Sequence, residues 1–237
     1  MSSFAERLSR VEERIAAACR HADRERDTVR LMAVSKLHPA ETLAEAVSAG
    51  VELFGENRVQ EFEAKRARLR ELGVTGAQVH LIGQLQSNKS GKAAELFDGI
   101  DSVDSLRLAE RLNEAAGKLS RRLPILLEIK LSAETTKAGL EPGSAELGTL
   151  LERLPDFRNL AMRGLMTIAP LDENPEAARG CFRRLHALRD GLAREYSRLE
   201  CSELSMGMSG DFEIAIEEGS TCVRIGTALF GERIRLP

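Results

Sequence analysis

Short apolar runs alternate with amphipathic segments along almost the whole chain. Glycine, proline or polar residues flank each run, which is typical of short buried strands. The strands predicted in this way cover residues 31–35, 51–55, 79–83, 99–103, 124–130, 161–168, 203–208 and 221–225. Because helical segments separate them, the pattern predicts parallel pairing. Eight such units in a chain of this length favour a closed (β/α)8 barrel of the TIM type over an open sheet.

The segments between the strands carry apolar residues at helical spacing. They predict helices over 39–50, 58–72, a stretch ending at 97, 104–117, 143–154, 175–199 and 211–218. Only seven helices follow strands in this pattern. An extra amphipathic N-terminal helix over 3–22, with Phe4, Leu8, Val11 and Ile15 on one face, is predicted to fill the eighth place in the outer ring. No linker interrupts the alternation, so residues 1–237 are predicted to form a single α/β domain.

The composition argues against nucleic-acid binding and against membrane association. Hydrophobic residues make up 43% of the chain and charged residues 30%, with a formal net charge of −3, as in ordinary globular proteins. The absence of a basic excess argues against a nucleic-acid partner, and a chain with no Trp and one Tyr offers few stacking platforms. No apolar run approaches the ~20 residues that a membrane helix needs, so no membrane association is expected.

The cysteines and the N-terminal segment bear on metal binding and location. Cys19, Cys181, Cys201 and Cys222 show no C-x-x-C spacing and no accompanying histidine cluster, so a zinc site is not expected. Scattered cysteines of this kind are typical of reduced thiols in the cytosol. Residues 1–20 are charged throughout and lack the apolar core of a signal peptide. We therefore expect a cytoplasmic protein, and we expect it to be a monomer.

The first strand ends at a lysine. Residues 31–35 are followed by Lys36, then by Pro39 and a helix. The carboxyl end of a strand is where barrel enzymes keep their reactive groups. An apolar surround favours the uncharged amine, which attacks a carbonyl to form a Schiff base. The alternative interpretation is an ordinary surface lysine that begins a loop.

The loops after the seventh and eighth strands are candidates for an anion site, because barrels often hold a phosphate there. Ser209 and Thr227 supply hydroxyl groups, and Gly226 allows backbone N–H groups to approach an anion closely. Ser209 is predicted at a helix N-terminus, where the helix dipole favours negative charge. Ordinary turn and helix-capping chemistry is the alternative interpretation of the same residues.

One charged residue, Arg224, interrupts the apolar eighth strand. If Cys222 and Arg224 point into the barrel, Val223 and Ile225 point towards the helices, which is the expected alternation. A buried arginine needs a partner. That partner is a ligand's ring or phosphate, a barrel carboxylate such as Glu56 or Glu128, or both, since the two contacts do not exclude each other.

A Schiff-base lysine, an inward arginine and a phosphate cradle together describe a site for pyridoxal phosphate (PLP). The stretches that carry a family resemblance are AVSK (33–36), FGEN (54–57), HLIGQLQSNK (80–89), RGLM (163–166), LSMGMSGD (204–211) and VRIGTALFG (223–231). In this order they resemble the pyridoxal phosphate homeostasis protein family, which is similar in fold to the barrel domain of alanine racemase. Leu81 departs from the family's more usual phenylalanine, a change that affects packing and not chemistry.

The resemblance implies a role for each site residue. Lys36 would hold PLP as a Schiff base, and Asn57 would line the pocket beside the ring. Ser209, Gly226 and Thr227 would bind the phosphate, and Met208 would supply pocket wall or a backbone amide. Arg224 would face the pyridine nitrogen. The remaining polar residues of these motifs are interpreted as packing residues or caps: His80, Gln84, Asn88 and Lys89. The polar loop over 132–141 is predicted to be a mobile segment over the barrel mouth. Its Lys137 is either a solvated charge or a group that reaches an anion there.

Binding and delivery of PLP is favoured over catalysis. The resemblance implies that a racemase of this fold needs a second base, which is a tyrosine from another domain and another subunit. The single tyrosine of this chain, Tyr196, is predicted to lie far from the pocket loops. Arginine does not give up its proton, so a ring nitrogen facing Arg224 stays unprotonated and the ring is a poorer electron sink. We expect no turnover, with apo PLP-dependent enzymes as recipients. The alternatives are a weak amino-acid racemase and a Schiff-base aldolase.

Overall fold

The computed structural model describes residues 3–132, 138–170 and 174–231, and within them eight strands close into a barrel in chain order. Each strand pairs in parallel with the next, and the last pairs with the first, as predicted. The strands are Arg30–Val34 (β1), Leu53–Glu56 (β2), Gln78–Leu81 (β3), Gly99–Val103 (β4), Leu123–Glu128 (β5), Leu160–Met166 (β6), Glu203–Met208 (β7) and Cys222–Ile225 (β8).

Helices surround this barrel. They are Phe4–His21 (α1), Ala40–Ser48 (α2), Val59–Glu71 (α3), Ser90–Leu96 (α4), Leu106–Lys118 (α5), Ala145–Arg153 (α6), Arg179–Glu195 (α7), Phe212–Glu217 (α8) and Thr227–Phe230 (α9). Two predictions need correction. A short helix, α9, follows the eighth strand, and the helix predicted over 175–199 begins as a 3-10 turn, Pro175–Ala178, before α7.

The N-terminal helix α1 lies in the outer ring, as predicted. Its buried residues include Phe4, Val11 and Ile15, three of the four apolar positions used for the prediction. The Phe4 ring lies 5.5 Å from that of Phe230 in α9. Helix α1 also contacts α8, where Arg14 forms an ion pair with Glu213 at 2.5 Å. The helix therefore supplements the short helices α8 and α9, which by themselves cover little of the barrel wall.

Strand alternation divides the core into two regions. Met32, Leu53 and Cys222 form a small apolar cluster with Ile82 inside the barrel. The larger core lies between strands and helices and contains Val223 and Ile225. This confirms the predicted orientation of β8, with Cys222 and Arg224 on the inner face.

Within the described part of the chain, no helix combines the length and the apolar character that crossing a bilayer requires. The same part contains no group of three or more side chains suited to hold a metal ion. The four cysteines are buried and form no disulfide bond, and burial raises the pKa of the Cys222 thiol to about 12. They are therefore packed as small apolar side chains.

Candidate functional site

A cavity of about 250 Å³ opens at the carboxyl ends of the strands. Strands β1, β2, β7 and β8, or the loops that follow them, supply most of its wall. All seven residues predicted for the site contribute: Lys36, Asn57, Met208, Ser209, Arg224, Gly226 and Thr227. The parallel barrel explains this convergence, because residues far apart in the chain lie together wherever each strand ends.

Lys36 reaches the cavity from the turn between β1 and α2. The alternation of side chains that begins in β1 continues into the turn and sets the direction of the Lys36 side chain. Val34 also lines the cavity, whereas the completely buried Ser35 between them points to the helix side, where its hydroxyl donates to Glu56 at 2.6 Å. Lys36 is half-buried, so its amine lies where a ligand from solvent can meet it. Lys36 therefore lies at the strand end that the sequence predicted.

Arg224 projects from β8 into the barrel and is only 4% exposed. Its guanidinium donates to Ser205 Oγ and to the carbonyl oxygen of Thr167, both at 2.8 Å. The predicted alternative of an ion pair with Glu56 or Glu128 is wrong. Glu56 pairs instead with Lys65 at 2.6 Å, and Glu128 acts on Arg224 only through its charge.

Burial lowers the pKa of Arg224 from its ordinary value, and the surrounding negative charges oppose that shift. Those charges belong to the carboxylates of Asp101, Glu128 and Asp211. Because the ordinary pKa of arginine lies so far above neutrality, the side chain keeps its charge. The cavity therefore contains a fixed positive charge held by neutral oxygen atoms.

The two predicted anion-binding loops meet at the rim of the cavity. The backbone N–H of Ala228 donates to Ser209 Oγ at 3.5 Å, which joins the loop after β7 to the start of α9. The predicted place of Ser209 at a helix N-terminus needs correction. Asp211 is the N-cap residue of α8, and its carboxylate accepts from the Met208 N–H at 2.6 Å. Ser209 therefore lies two residues before the N-cap residue of the helix.

Gly226 precedes α9 and lines the cavity. The three atoms nearest to a Cβ atom added there would belong to Val34, the closest at 3.5 Å, which is an ordinary contact. Packing of the protein alone therefore does not require glycine at this position. The missing side chain leaves space at the cavity wall, where backbone groups can approach a bound anion.

A second cavity of about 240 Å³ adjoins the first and shares Asn57, Ile82 and Ile168 with it. Within the described residues, Asn57 Oδ1 and Ser132 Oγ are buried and have no hydrogen-bond partner. Glu128 also lines this second cavity; burial, helped by the charge of Asp104 and opposed by that of Arg224, raises its pKa to about 7. Unpartnered buried polar atoms are unusual in native proteins and are typical of a place that receives a ligand or water.

Sequence reasoning did not assign six residues of the cavity wall to the site: Val34, His38, Ile82, Ile168, Gly210 and Gly231. The His38 ring lies against that of Phe230, with centroids 4.9 Å apart. Its position two residues after Lys36, in the same turn, was the available signal. Ile82, like Val34, Gly210 and Gly231, lies in a stretch that carries the family resemblance, and that was its signal. Ile168 follows β6, and nothing in its sequence context distinguishes it from other apolar residues near strand ends.

His80 lies in β3, as predicted, and is buried, with its Nδ1 2.9 Å from Asp101 Oδ1. It lines a different cavity, together with Arg30 and Glu203 from the opposite end of the barrel. Tyr196 caps the C-terminal end of α7 and is not part of the cavity wall formed by described residues. Lys137 and residues 133–136 of the predicted mobile loop lie outside the described residues.

Comparison with known proteins places this chain in a family. Residues 7–234 match the family model for the N-terminal domain of alanine racemase. A pyridoxal phosphate homeostasis protein from Aquifex aeolicus is 45% identical over 228 residues, which cover 96% of this chain and 97% of the relative.

Solved structures agree with this placement. PipY from Synechococcus elongatus PCC7942, solved with PLP bound, superimposes with a TM-score of 0.85 at 42% identity, over 97% of this chain and all of PipY. Alanine racemase from Clostridium difficile 630 shares the fold at a TM-score of 0.71 and 18% identity, and this chain covers only 56% of it. The chain therefore belongs to the alanine racemase N-terminal domain family and, within that fold, to the pyridoxal phosphate homeostasis proteins.

Proposed function

We propose that this protein binds PLP as a Schiff base on Lys36 and takes part in controlling and delivering the free cofactor inside the cell. The observation that carries the proposal is the convergence of Lys36, Arg224 and the two loops after β7 and β8 on one cavity. The PLP-bound PipY relative supports it, because its fold and 42% of its residues match this chain.

The residues of the cavity fit the groups of PLP. The amine of Lys36 suits the aldehyde, and the hydroxyls of Ser209 and Thr227, with the open backbone at Gly226, suit the phosphate. The unpartnered Oδ1 of Asn57, which also lines the cavity, would accept a hydrogen bond from a polar substituent of the ring. When bound, PLP supplies an aldehyde that exchanges reversibly between amines, and storage or delivery needs no further chemistry.

We further propose that the protein does not turn over amino acids. Arg224 would place a permanent positive charge at the ring nitrogen, which disfavours protonation of that nitrogen and weakens the ring as an electron sink. The cavity wall formed by the described residues includes no tyrosine to act as a second base. Apo PLP-dependent enzymes would be the recipients, with the protein acting as a cytoplasmic monomer. Its four buried cysteines, which form no disulfide bond, are consistent with a reducing compartment.

Borohydride reduction tests the attachment site. The purified protein is loaded with PLP, reduced, digested and mapped by mass spectrometry. The label is expected on Lys36, and Lys36→Ala should lose both the visible absorbance and the label while it remains folded, because the side chain lies in a surface turn. Lys89→Ala, in the loop after β3, is the matched control and should be labelled like the parent. Label on Lys89 or Lys137 in the parent would refute the assignment.

A further inference from the structure

Helix α3 extends two side chains to the backbone on either side of Lys36. The ammonium group of Lys65 donates to the carbonyl oxygen of Ser35 at 3.0 Å. The carboxylate of Glu61 accepts from the backbone N–H of Leu37 at 2.6 Å. The residues immediately before and after Lys36 are thus both held by one helix on the outside of the barrel.

The turn needs such support, because Leu37 adopts a φ of +66°. This left-handed conformation is unfavourable for a residue with a Cβ atom. The Leu37 side chain is 60% exposed, so packing of the side chain does not hold it there. The hydrogen bond from Leu37 N–H to Glu61 and the one from His38 N–H to Ser35 O, at 3.1 Å, fix the turn instead.

Lys65 also connects the Lys36 turn to the strand that carries Asn57. It is 7% exposed and pairs at 2.6 Å with Glu56, which is completely buried and directly precedes Asn57. The same oxygen of Glu56 accepts the Ser35 hydroxyl at 2.6 Å. One buried ammonium group therefore joins the ends of β1 and β2, from which the two cavity residues project.

We propose that Glu61 and Lys65 are positioning residues for Lys36. They fix the backbone of the turn so that the amine points into the cavity beside Asn57. The inference rests on the proposed function, since it takes Lys36 to be the PLP-binding residue. A purely structural ion pair would hold α3 against the strands anywhere along their length, whereas these hydrogen bonds go to the two backbone neighbours of Lys36.

Three variants of α3 test the role of Glu61. Glu61→Ala removes the acceptor for Leu37 N–H, and Glu61→Gln keeps an acceptor oxygen there. Glu63→Ala is the matched control, because Glu63 is exposed on the same helix and pairs with Lys92 at 2.8 Å. We expect Glu61→Ala to weaken PLP binding roughly tenfold and to shift the pH dependence of the visible band. Glu61→Gln should restore most of the affinity, and Glu63→Ala should match the parent.

Hydrogen–deuterium exchange of the Leu37 amide supplies a readout without cofactor. In cofactor-free protein, exchange should be faster in Glu61→Ala than in the parent, in Glu61→Gln or in Glu63→Ala. The double variant Glu56→Gln with Lys65→Met, which removes the buried pair without leaving a lone charge, should weaken PLP binding in the same way.

Positioning requires that the affinity and the amide exchange change together. Parent-like values of either in Glu61→Ala would overturn the proposal. If the parent itself takes up no PLP, the proposed function fails, and the exchange measurement alone then decides whether Glu61 holds the turn.

Discussion

Arg224 keeps its charge inside the barrel because neutral oxygens of Ser205 and Thr167, and not a carboxylate, receive its hydrogen bonds. A guanidinium group has five N–H donors, so two such bonds leave donors for a ligand. An ion pair with Glu128 would have neutralised the charge within the protein. The observed arrangement keeps the positive charge directed at whatever occupies the cavity, which is what the proposed contact with the PLP ring requires.

Glu128 should make the stability of the cofactor-free protein depend on pH. Its pKa is raised to about 7 in the folded state, while the unfolded carboxyl titrates near its ordinary value of 4.5. The folded state therefore binds the proton more tightly, and its stabilising contribution is present below pH 4.5 and lost as pH rises through about 7. Glu128→Gln should stabilise the protein by about 1–3 kcal/mol at pH 8 and by little at pH 4.5.

Denaturant unfolding at these two pH values measures the effect. Glu141→Gln is a suitable control, because Glu141 lies at the surface beside Lys130 and faces water. Equal effects of Glu128→Gln at both pH values would contradict the prediction.

The loops after β7 and β8 should supply much of the affinity for PLP. Ser209→Ala combined with Thr227→Val removes two hydroxyl groups from the rim, and each hydrogen bond lost to a charged group is worth roughly 1.5–3 kcal/mol. The double variant should therefore retain PLP at least tenfold less well in equilibrium dialysis. Pyridoxal, which lacks the phosphate, should bind poorly to the parent. Equal affinity for pyridoxal and PLP would rule out the phosphate cradle.

Helix α1 shows how one element completes the outer ring. Its capping box, formed by Ser3 and Glu6, fixes its start, and its apolar face packs on the last two helices of the chain. Through Phe230, this packing also reaches the cavity, because the Phe230 ring contacts both Phe4 and His38. The helix thus belongs structurally to the end of the barrel that holds the site.

Truncation of Phe4, the buried aromatic residue at the start of α1, should lower the free energy of unfolding. Phe4 is 1% exposed, and Phe4→Ala would leave a cavity against Phe230. Such truncations of buried aromatic residues cost about 3–5 kcal/mol. The midpoint of urea unfolding should fall accordingly, whereas Glu13→Ala on the exposed face of the same helix should change it little. A parent-like midpoint for Phe4→Ala would show that α1 is not integral to the fold.

At the scale of the whole molecule, the proposed absence of turnover separates this protein from racemases of the same fold. We expect negligible exchange of the α-proton when PLP-loaded protein is incubated with single L-amino acids in heavy water and followed by NMR. Arg224→Glu would favour protonation of the ring nitrogen and should move the site electronically towards catalysis, although lost contacts with Ser205 and Thr167 should weaken binding. Parent rates of about 1–10³ per second, ordinary for enzymes, would refute the carrier function.

The local sequence was sufficient to predict the orientation of β8 and the presence of helix α1. The alternation of inward and outward residues along β8 placed Cys222 and Arg224 inside the barrel, and the helical spacing of Phe4, Val11 and Ile15 predicted α1. These patterns are readable because the side-chain periods of strand and helix are properties of the backbone itself. Once eight parallel strands are inferred, the meeting of the strand ends that carry Lys36 and Arg224 follows from the topology of the barrel.

Only the tertiary structure determines which residues form hydrogen bonds with the buried and half-buried charged side chains. Arg224 contacts Ser205 and Thr167, 19 and 57 residues away in the chain, and not the carboxylates that sequence reasoning considered. Likewise, no local pattern indicates that Lys65 and Glu61 hold the turn around Lys36. Which side chains meet across a barrel depends on the stagger of neighbouring strands and on the reach of each side chain. Both are settled only when the sheet closes and the helices pack against it.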